Sequence, residues 1–152
     1  MNVELEIEFD GWHALTGLEE HAMRVAEAAL AGQPDAGQVF LLFTSDADIQ
    51  VMNRKWRNKD RPTNVLSFPA AEMPVPNGEV ALLGDVVLAY ETVEREAAEQ
   101  GKTLTAHSSH LIVHGILHLL GYDHETDADA NAMENEERRI LADLDIADPY
   151  ET

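Results

Sequence analysis

The sequence predicts an α+β fold, with one mixed β-sheet of about four strands packed against about five helices. Three observations point there. Short runs rich in β-formers are concentrated early in the chain, stretches with helical periodicity dominate its later part, and between them the two kinds alternate irregularly. At 152 residues, one domain is expected over residues 1–152. Hydrophobic residues make up 45% and charged residues 26%, which is ordinary for a chain that buries its own core. There is no Cys, so disulfides, thiolate metal sites and Cys nucleophiles are excluded.

Taken in order, Val3, Leu5 and Ile7 alternate with Glu4, Glu6 and Glu8, the pattern of a half-buried strand. Residues 15–30 read as an amphipathic helix ending near Gly32 and Pro34. The apolar run over 38–44 reads as a strand, and Ser45 or Asp46 can cap a helix that continues to about Trp56. A polar loop over 57–64 leads into a strand over 65–68, stopped by Pro69. Pro74, Pro76, Asn77 and Gly78 mark residues 70–79 as a mobile loop. Residues 84–90 form another strand, and helices are expected over 90–100, 104–120 and 126–143, with Gly101 and Gly121 at helix ends. No internal repeat or low-complexity tract is visible.

The charge balance is unusual. Ten Lys and Arg face 29 Asp and Glu, a net charge of −19. This disfavours a protein that holds nucleic acid by a broad cationic surface, because such surfaces neutralise phosphates with Lys and Arg. The first residues, Met1 to Glu6, are acidic and alternating, unlike a signal peptide. No apolar run approaches the roughly 18 residues of a membrane helix. A cytoplasmic location is expected.

Five of the seven His lie between positions 107 and 124. His114 and His118 are four apart, so on a helix they share one face a turn apart and can bind one metal ion. Gly121 permits a sharp exit, and the turn at Gly121, Tyr122 and Asp123 can swing His124 back toward the pair. Three neutral imidazoles suit a single Zn²⁺. Three ligands with no Cys point to an open position and hence to catalysis rather than a closed structural site. His110 also lies four residues from His114, but the turn favours His118, so His110 is expected to support the ligands from behind. Asp123 could orient a ligand imidazole or simply serve the turn. His107 reads as surface or structural.

The spacing His-x3-His-x5-His is that of a zinc-hydrolase-like helix. Position 115, after the first His, is Gly, where a zinc peptidase carries its general-base Glu. A peptidase-like hydrolase is therefore disfavoured as the rival enzyme. A noncatalytic assembly factor folded around zinc is the rival from another class.

Half of the positive charge lies in eight residues, as Arg54, Lys55, Arg57, Lys59 and Arg61. Arg54 and Lys55 are explained by a helix C-terminus, where cations complement the dipole. Arg57, Lys59 and Arg61 in the loop are explained less well that way. Trp56 offers a face for base stacking, and Thr63 and Ser67 add hydroxyls able to contact phosphate. Asn64 reads as turn chemistry.

The run from His114 to His124, HGILHLLGYDH, resembles the signature of the YbeY-type endoribonucleases, the bacterial rRNA maturation factors. Residues 56–69, WRNKDRPTNVLSFP, and 83–87, LGDVV, resemble two further blocks of that family. The resemblance implies a zinc-dependent, single-strand-specific endoribonuclease acting in 16S rRNA 3′-end maturation and ribosome quality control. It implies His114, His118 and His124 as zinc ligands and Arg57 as the functional Arg. The implied partners are single-stranded rRNA and the small ribosomal subunit with its associated proteins, not DNA and not a membrane. In such a site Arg57 would hold the phosphate by its planar fork and stabilise transition-state charge, with Lys59, Arg61, Thr63 and Ser67 contacting substrate. Asp123, Asp85 and hydroxide on the metal are all candidates for the general base, and either water or the RNA 2′-OH can attack.

Overall fold

A computed structural model of the protein describes residues 3–33, 36–70 and 82–150. The expected elements are present. Strand β1 (Val3–Ile7) is followed by a 3-10 turn (Asp10–Ala14), helix α1 (Leu18–Leu30), β2 (Gln38–Thr44), α2 (Asp46–Arg57) and β3 (Val65–Pro69). Then come β4 (Leu82–Ala89), α3 (Tyr90–Gln100), α4 (Leu104–Leu119) and α5 (Asp127–Asp143). Most of the stretch read as a mobile loop, residues 71–79, lies outside the described residues, as does Pro34.

The sheet is mixed, in the order β1-β2-β4-β3. β1 and β4 flank β2 in parallel, with Val3 opposite Val39 and Phe40 opposite Asp85. β3 closes one edge antiparallel to β4, with Ser67 opposite Val86. Parallel pairing requires crossover connections, and α1 and α2 lie in them.

Two boundaries differ from the sequence reading. α1 starts at Leu18 because the chain before it closes a 3-10 turn, in which Leu15 N–H donates to the Trp12 carbonyl at 3.1 Å. That turn carries Trp12, fully buried, with its indole N–H donating to the Thr44 carbonyl at 2.9 Å. Trp12 meets Phe43 and Tyr90 edge-on, with ring centroids 5.1 and 5.2 Å apart. β4 starts two residues earlier than expected, at Leu82. The cap at α2 is Ser45, whose hydroxyl accepts from Asp48 N–H at 3.3 Å, while the Asp46 carboxylate turns to Thr92.

α4 is the central helix. It packs against β3, β4, α1, α3 and α5. Leu111, Ile112, Val113, Ile116 and Leu117 are buried in the main core. Its buried hydroxyls are satisfied locally, Ser108 donating to the Leu104 carbonyl and Ser109 to the Thr105 carbonyl, each at 2.7 Å. A helix enclosed on most sides holds its remaining face in a fixed position, and that face carries the histidines.

Candidate metal centre and phosphate cleft

His114 and His118 project from successive turns of α4, with ring centroids 4.6 Å apart and planes at 86°. The helix ends at Leu119, and Gly121 takes φ +101°, a conformation that side chains disfavour. The chain then doubles back, with Tyr122 N–H donating to the Leu117 carbonyl at 3.0 Å. This brings His124 to 5.8 Å from His114 and 5.1 Å from His118, centroid to centroid. One ring nitrogen from each of the three lies within 4.8 Å of the others.

The tautomers follow from the partners. Tyr122 offers a carbonyl, which only accepts, so His118 Nδ1 donates to it at 3.1 Å. Glu137 offers a carboxylate, so His114 Nδ1 donates to Oε1 at 2.8 Å. Both Nε2 atoms are therefore left as lone-pair donors, and they face each other at 3.1 Å. Two lone pairs aimed at one point, with a third imidazole beside them, fit a metal cation. Burial, and then the neighbouring His114 and His124, push the His118 pKa down and favour the neutral form that binds metal.

Glu137 is fully buried on α5. Besides His114, it accepts from His110 Nε2 at 3.1 Å and from the Tyr150 hydroxyl at 2.6 Å. Burial opposes its charge, but the bonds from His110, His114 and Tyr150 outweigh that and hold its pKa at about 2. His110 thus stands behind His114. Asp123 accepts from Glu125 N–H at 3.2 Å, which is turn chemistry. His107 is buried against Glu96 at 2.9 Å.

Glu137 and Tyr150 escaped the sequence reading. A signal existed for Glu137. Met133, Glu137, Ile140 and Leu141 are the buried positions of α5, so one carboxylate interrupts an apolar helical stripe.

Arg57 ends α2. Its guanidinium donates to the Ser67 carbonyl and lies 5.4 Å from the Phe68 ring centroid. With Asn64, Ser67 and the three histidines it lines a cavity of about 400 Å³. The Ser67 hydroxyl donates to the Gly115 carbonyl at 2.9 Å, tying β3 to α4. Lys59, Arg61 and Thr63 line a neighbouring hollow of about 250 Å³, which Arg57 also borders. That loop is pinned to α2, because Asn53 donates to the Arg61 carbonyl at 2.9 Å and accepts from Lys59 N–H at 3.2 Å. Asn64 donates to Glu96 at 3.0 Å. Asp85 is exposed on β4, its carboxyl pKa raised by partial burial, and it does not line the histidine cavity.

Gly115 packs so closely that an added Cβ would lie 2.6 Å from Val86 Cγ1 and 3.1 Å from Ser67 Oγ. A side chain there would force Val86 and Ser67 to shift, so this packing disfavours a Glu at the position a zinc peptidase uses.

The sequence pattern of the family described as Endoribonuclease YbeY matches residues 7–145. The chain is 50% identical to an Endoribonuclease YbeY of Azorhizobium caulinodans, covering 99% of this chain and 96% of that one. It is 48% identical to an Endoribonuclease YbeY of Allorhizobium ampelinum, covering 99% and 95%. A solution structure of a Thermotoga maritima protein superposes with a TM-score of 0.56 at 25% identity, over 99% of both chains.

Proposed function

The chain belongs to the endoribonuclease YbeY family, and on that premise we propose a zinc-dependent, single-strand-specific endoribonuclease that acts in 16S rRNA 3′-end maturation and ribosome quality control. Its work is done in the cytoplasm on the small ribosomal subunit, and residues 1–152 act as one domain. Among the described residues no helix is long and apolar enough to cross a membrane. The observation that carries the reading is that Arg57 and the three histidines line one cavity. On a chain of net charge −19, a guanidinium beside three imidazoles that could hold a cation supports a site where one phosphate meets both.

His114, His118 and His124 would hold the zinc. The chemistry supplied by an ion bound there is Lewis-acid polarisation of a phosphoryl oxygen and acidification of water. The rest is the work of the chain. Arg57 keeps one N–H on the Ser67 carbonyl and stacks near Phe68, which leaves most of its five donors for substrate. A guanidinium already fixed in this way loses little freedom when it grips a phosphate, and it stabilises charge as the transition state forms. Lys59, Arg61 and Thr63 receive the adjoining backbone of the strand in the next hollow. Ser67 sets the distance between β3 and the ligand helix, and its exposed surroundings border the phosphate.

The test is Arg57→Ala, with zinc content and cleavage of single-stranded RNA measured on the same preparation. Cleavage is expected to fall about 10²- to 10³-fold with zinc content unchanged. Undiminished cleavage at full zinc would remove Arg57 from the reaction.

A further inference from the structure

We propose that Glu137 is the positioning residue of the metal centre: its buried carboxylate fixes His114 in the tautomer and ring orientation that turn Nε2 toward the metal. Tyr150 and His110 in turn hold the carboxylate in place. The proposal rests on the reading that His114, His118 and His124 are the ligands.

Among the described residues, Glu137 is the only carboxylate in the fully buried core. Placing a charge there is costly unless hydrogen-bond donors compensate it. Three donors are arranged to do so. Oε1 takes His114 Nδ1–H at 2.8 Å and His110 Nε2–H at 3.1 Å, and Oε2 takes the Tyr150 hydroxyl at 2.6 Å. The ion pairs of Glu137 are with these two histidines, and neither Arg138 nor Arg139, next to it on α5, turns toward it. A carboxylate kept in the core without Lys or Arg needs another reason to be there.

That reason lies in the ring it touches. A His that donates from Nδ1 must offer Nε2 as its lone pair, and a bond at 2.8 Å also stops the ring from rotating. His114 Nε2 then sits 3.1 Å from His118 Nε2. His118 is oriented by the neutral Tyr122 carbonyl instead. One ring is thus held by a charged carboxylate at 2.8 Å and the other by a carbonyl at 3.1 Å, so His114 is the more tightly aimed of the pair. Tyr150 completes the support from the far end of the chain, its ring 5.3 Å from that of His110.

A competing arrangement is present on the same side chains. His110, His114 and Glu137 also offer ligand atoms within 4.8 Å of one another. A cation held there would take the Glu137 oxygen and His114 Nδ1 themselves, and Glu137 would be a ligand rather than a positioning group.

The experiment uses the full chain and zinc. Glu137→Gln, Glu137→Asp and Tyr150→Phe are compared with wild type by competition for zinc against a chromophoric chelator. Side-chain ¹⁵N spectra of the metal-free proteins read the His114 tautomer. Glu137→Gln is expected to weaken zinc about 10- to 100-fold and to convert His114 from the Nδ1–H tautomer to a mixture. Tyr150→Phe gives a smaller fall, and Glu137→Asp serves if the Gln variant does not fold. Zinc affinity within about two-fold of wild type, with the tautomer unchanged, overturns the proposal. His118→Ala separates the two readings. If it loses zinc while Glu137→Gln does not, only the positioning role fails. If it keeps zinc while Glu137→Gln loses it, the metal sits on the competing group and the ligand reading fails as well.

Discussion

The loop between α2 and β3 and the helix α5 hold opposite charge and use it in opposite ways. The loop keeps Lys59 and Arg61 near the surface beside Arg57 at the end of α2, with its backbone pinned by Asn53. α5 spends its two bases on its own neighbourhood, Arg138 on Asp148 at 3.1 Å and Arg139 on Glu136. Such exposed pairs contribute little to stability. The same helix sends one carboxylate, Glu137, into the core with both oxygens hydrogen-bonded. His114 sits between the two regions, with one ring nitrogen toward α5 and the other facing the cavity that Arg57 lines. The contrast shows that a charge count says where repulsion comes from but not which charge does chemistry. Eleven acids fall between residues 123 and 151, and among the described ones Glu137 is hydrogen-bonded to His114.

The sharpest way to break this division is at the metal itself. His118→Ala takes away one of the three imidazoles proposed to hold zinc without touching either charged region. Zinc content and RNA cleavage are both expected to fall to background, measured by metal analysis beside a cleavage assay. Retained cleavage would mean that the histidine cluster is not the reacting centre.

Gly115→Ala comes next, and it tests the rigidity that keeps the two regions in register. The new methyl meets Val86 at 2.6 Å, and overpacking of this kind costs about 1–3 kcal/mol. The melting temperature is expected to drop by several degrees, and cleavage to fall as the ligand pair shifts away from β3. An unshifted melting curve would show that β4 gives way at no cost.

Acid should loosen the protein through histidines outside both regions. Burial is the largest cause that lowers the His107 and His21 pKa values, with Glu96 opposing it at His107 and Arg24 adding to it at His21. The unfolded chain therefore binds these protons more readily than the folded one. The stability they contribute is complete above pH about 6.5 and is lost as pH falls below it. The melting temperature of wild type is expected to decline between pH 7.5 and 5.5 more steeply than that of His107→Gln. Equal slopes would assign the acid sensitivity elsewhere.

The smallest effect is expected at the outer hollow. Lys59→Ala and Arg61→Ala should weaken binding of single-stranded RNA modestly, each reducing the slope of log affinity against log salt by about 1. A change as large as that of Arg57→Ala would merge the hollow with the reacting cleft.

Much of this was legible in residue order. Period-2 alternation marked β1, helical spacing placed His114 and His118 on one face, and Gly121 marked the turn that returns His124. These are local properties, set within a few residues. Strand order was not legible, because β1 and β2 pair across an intervening helix and nothing local specifies which neighbour wins. The basic segment read as one patch, yet only Arg57 of it reaches the histidine cavity, while Lys59 and Arg61 face the adjoining hollow that Arg57 also borders. Glu137 was easily passed over in an acidic helix, although its place in the stripe of Met133, Ile140 and Leu141 sets it apart from the other carboxylates. Asp123 lay nearer in sequence to the ligands but serves its own turn.

The tight seat of Gly115 has a kinetic meaning. Its contacts come from β4 and from Ser67 on β3, 48 residues earlier in the chain. Packing α4 against that antiparallel pair closes a loop of 48 residues, and such distant closures are slow steps in folding. The histidine pair takes its own spacing as α4 forms, but its place beside the cavity that Arg57 lines depends on that packing. On the proposed reading of the site, a refolding chain would regain its helices before it regained RNA cleavage.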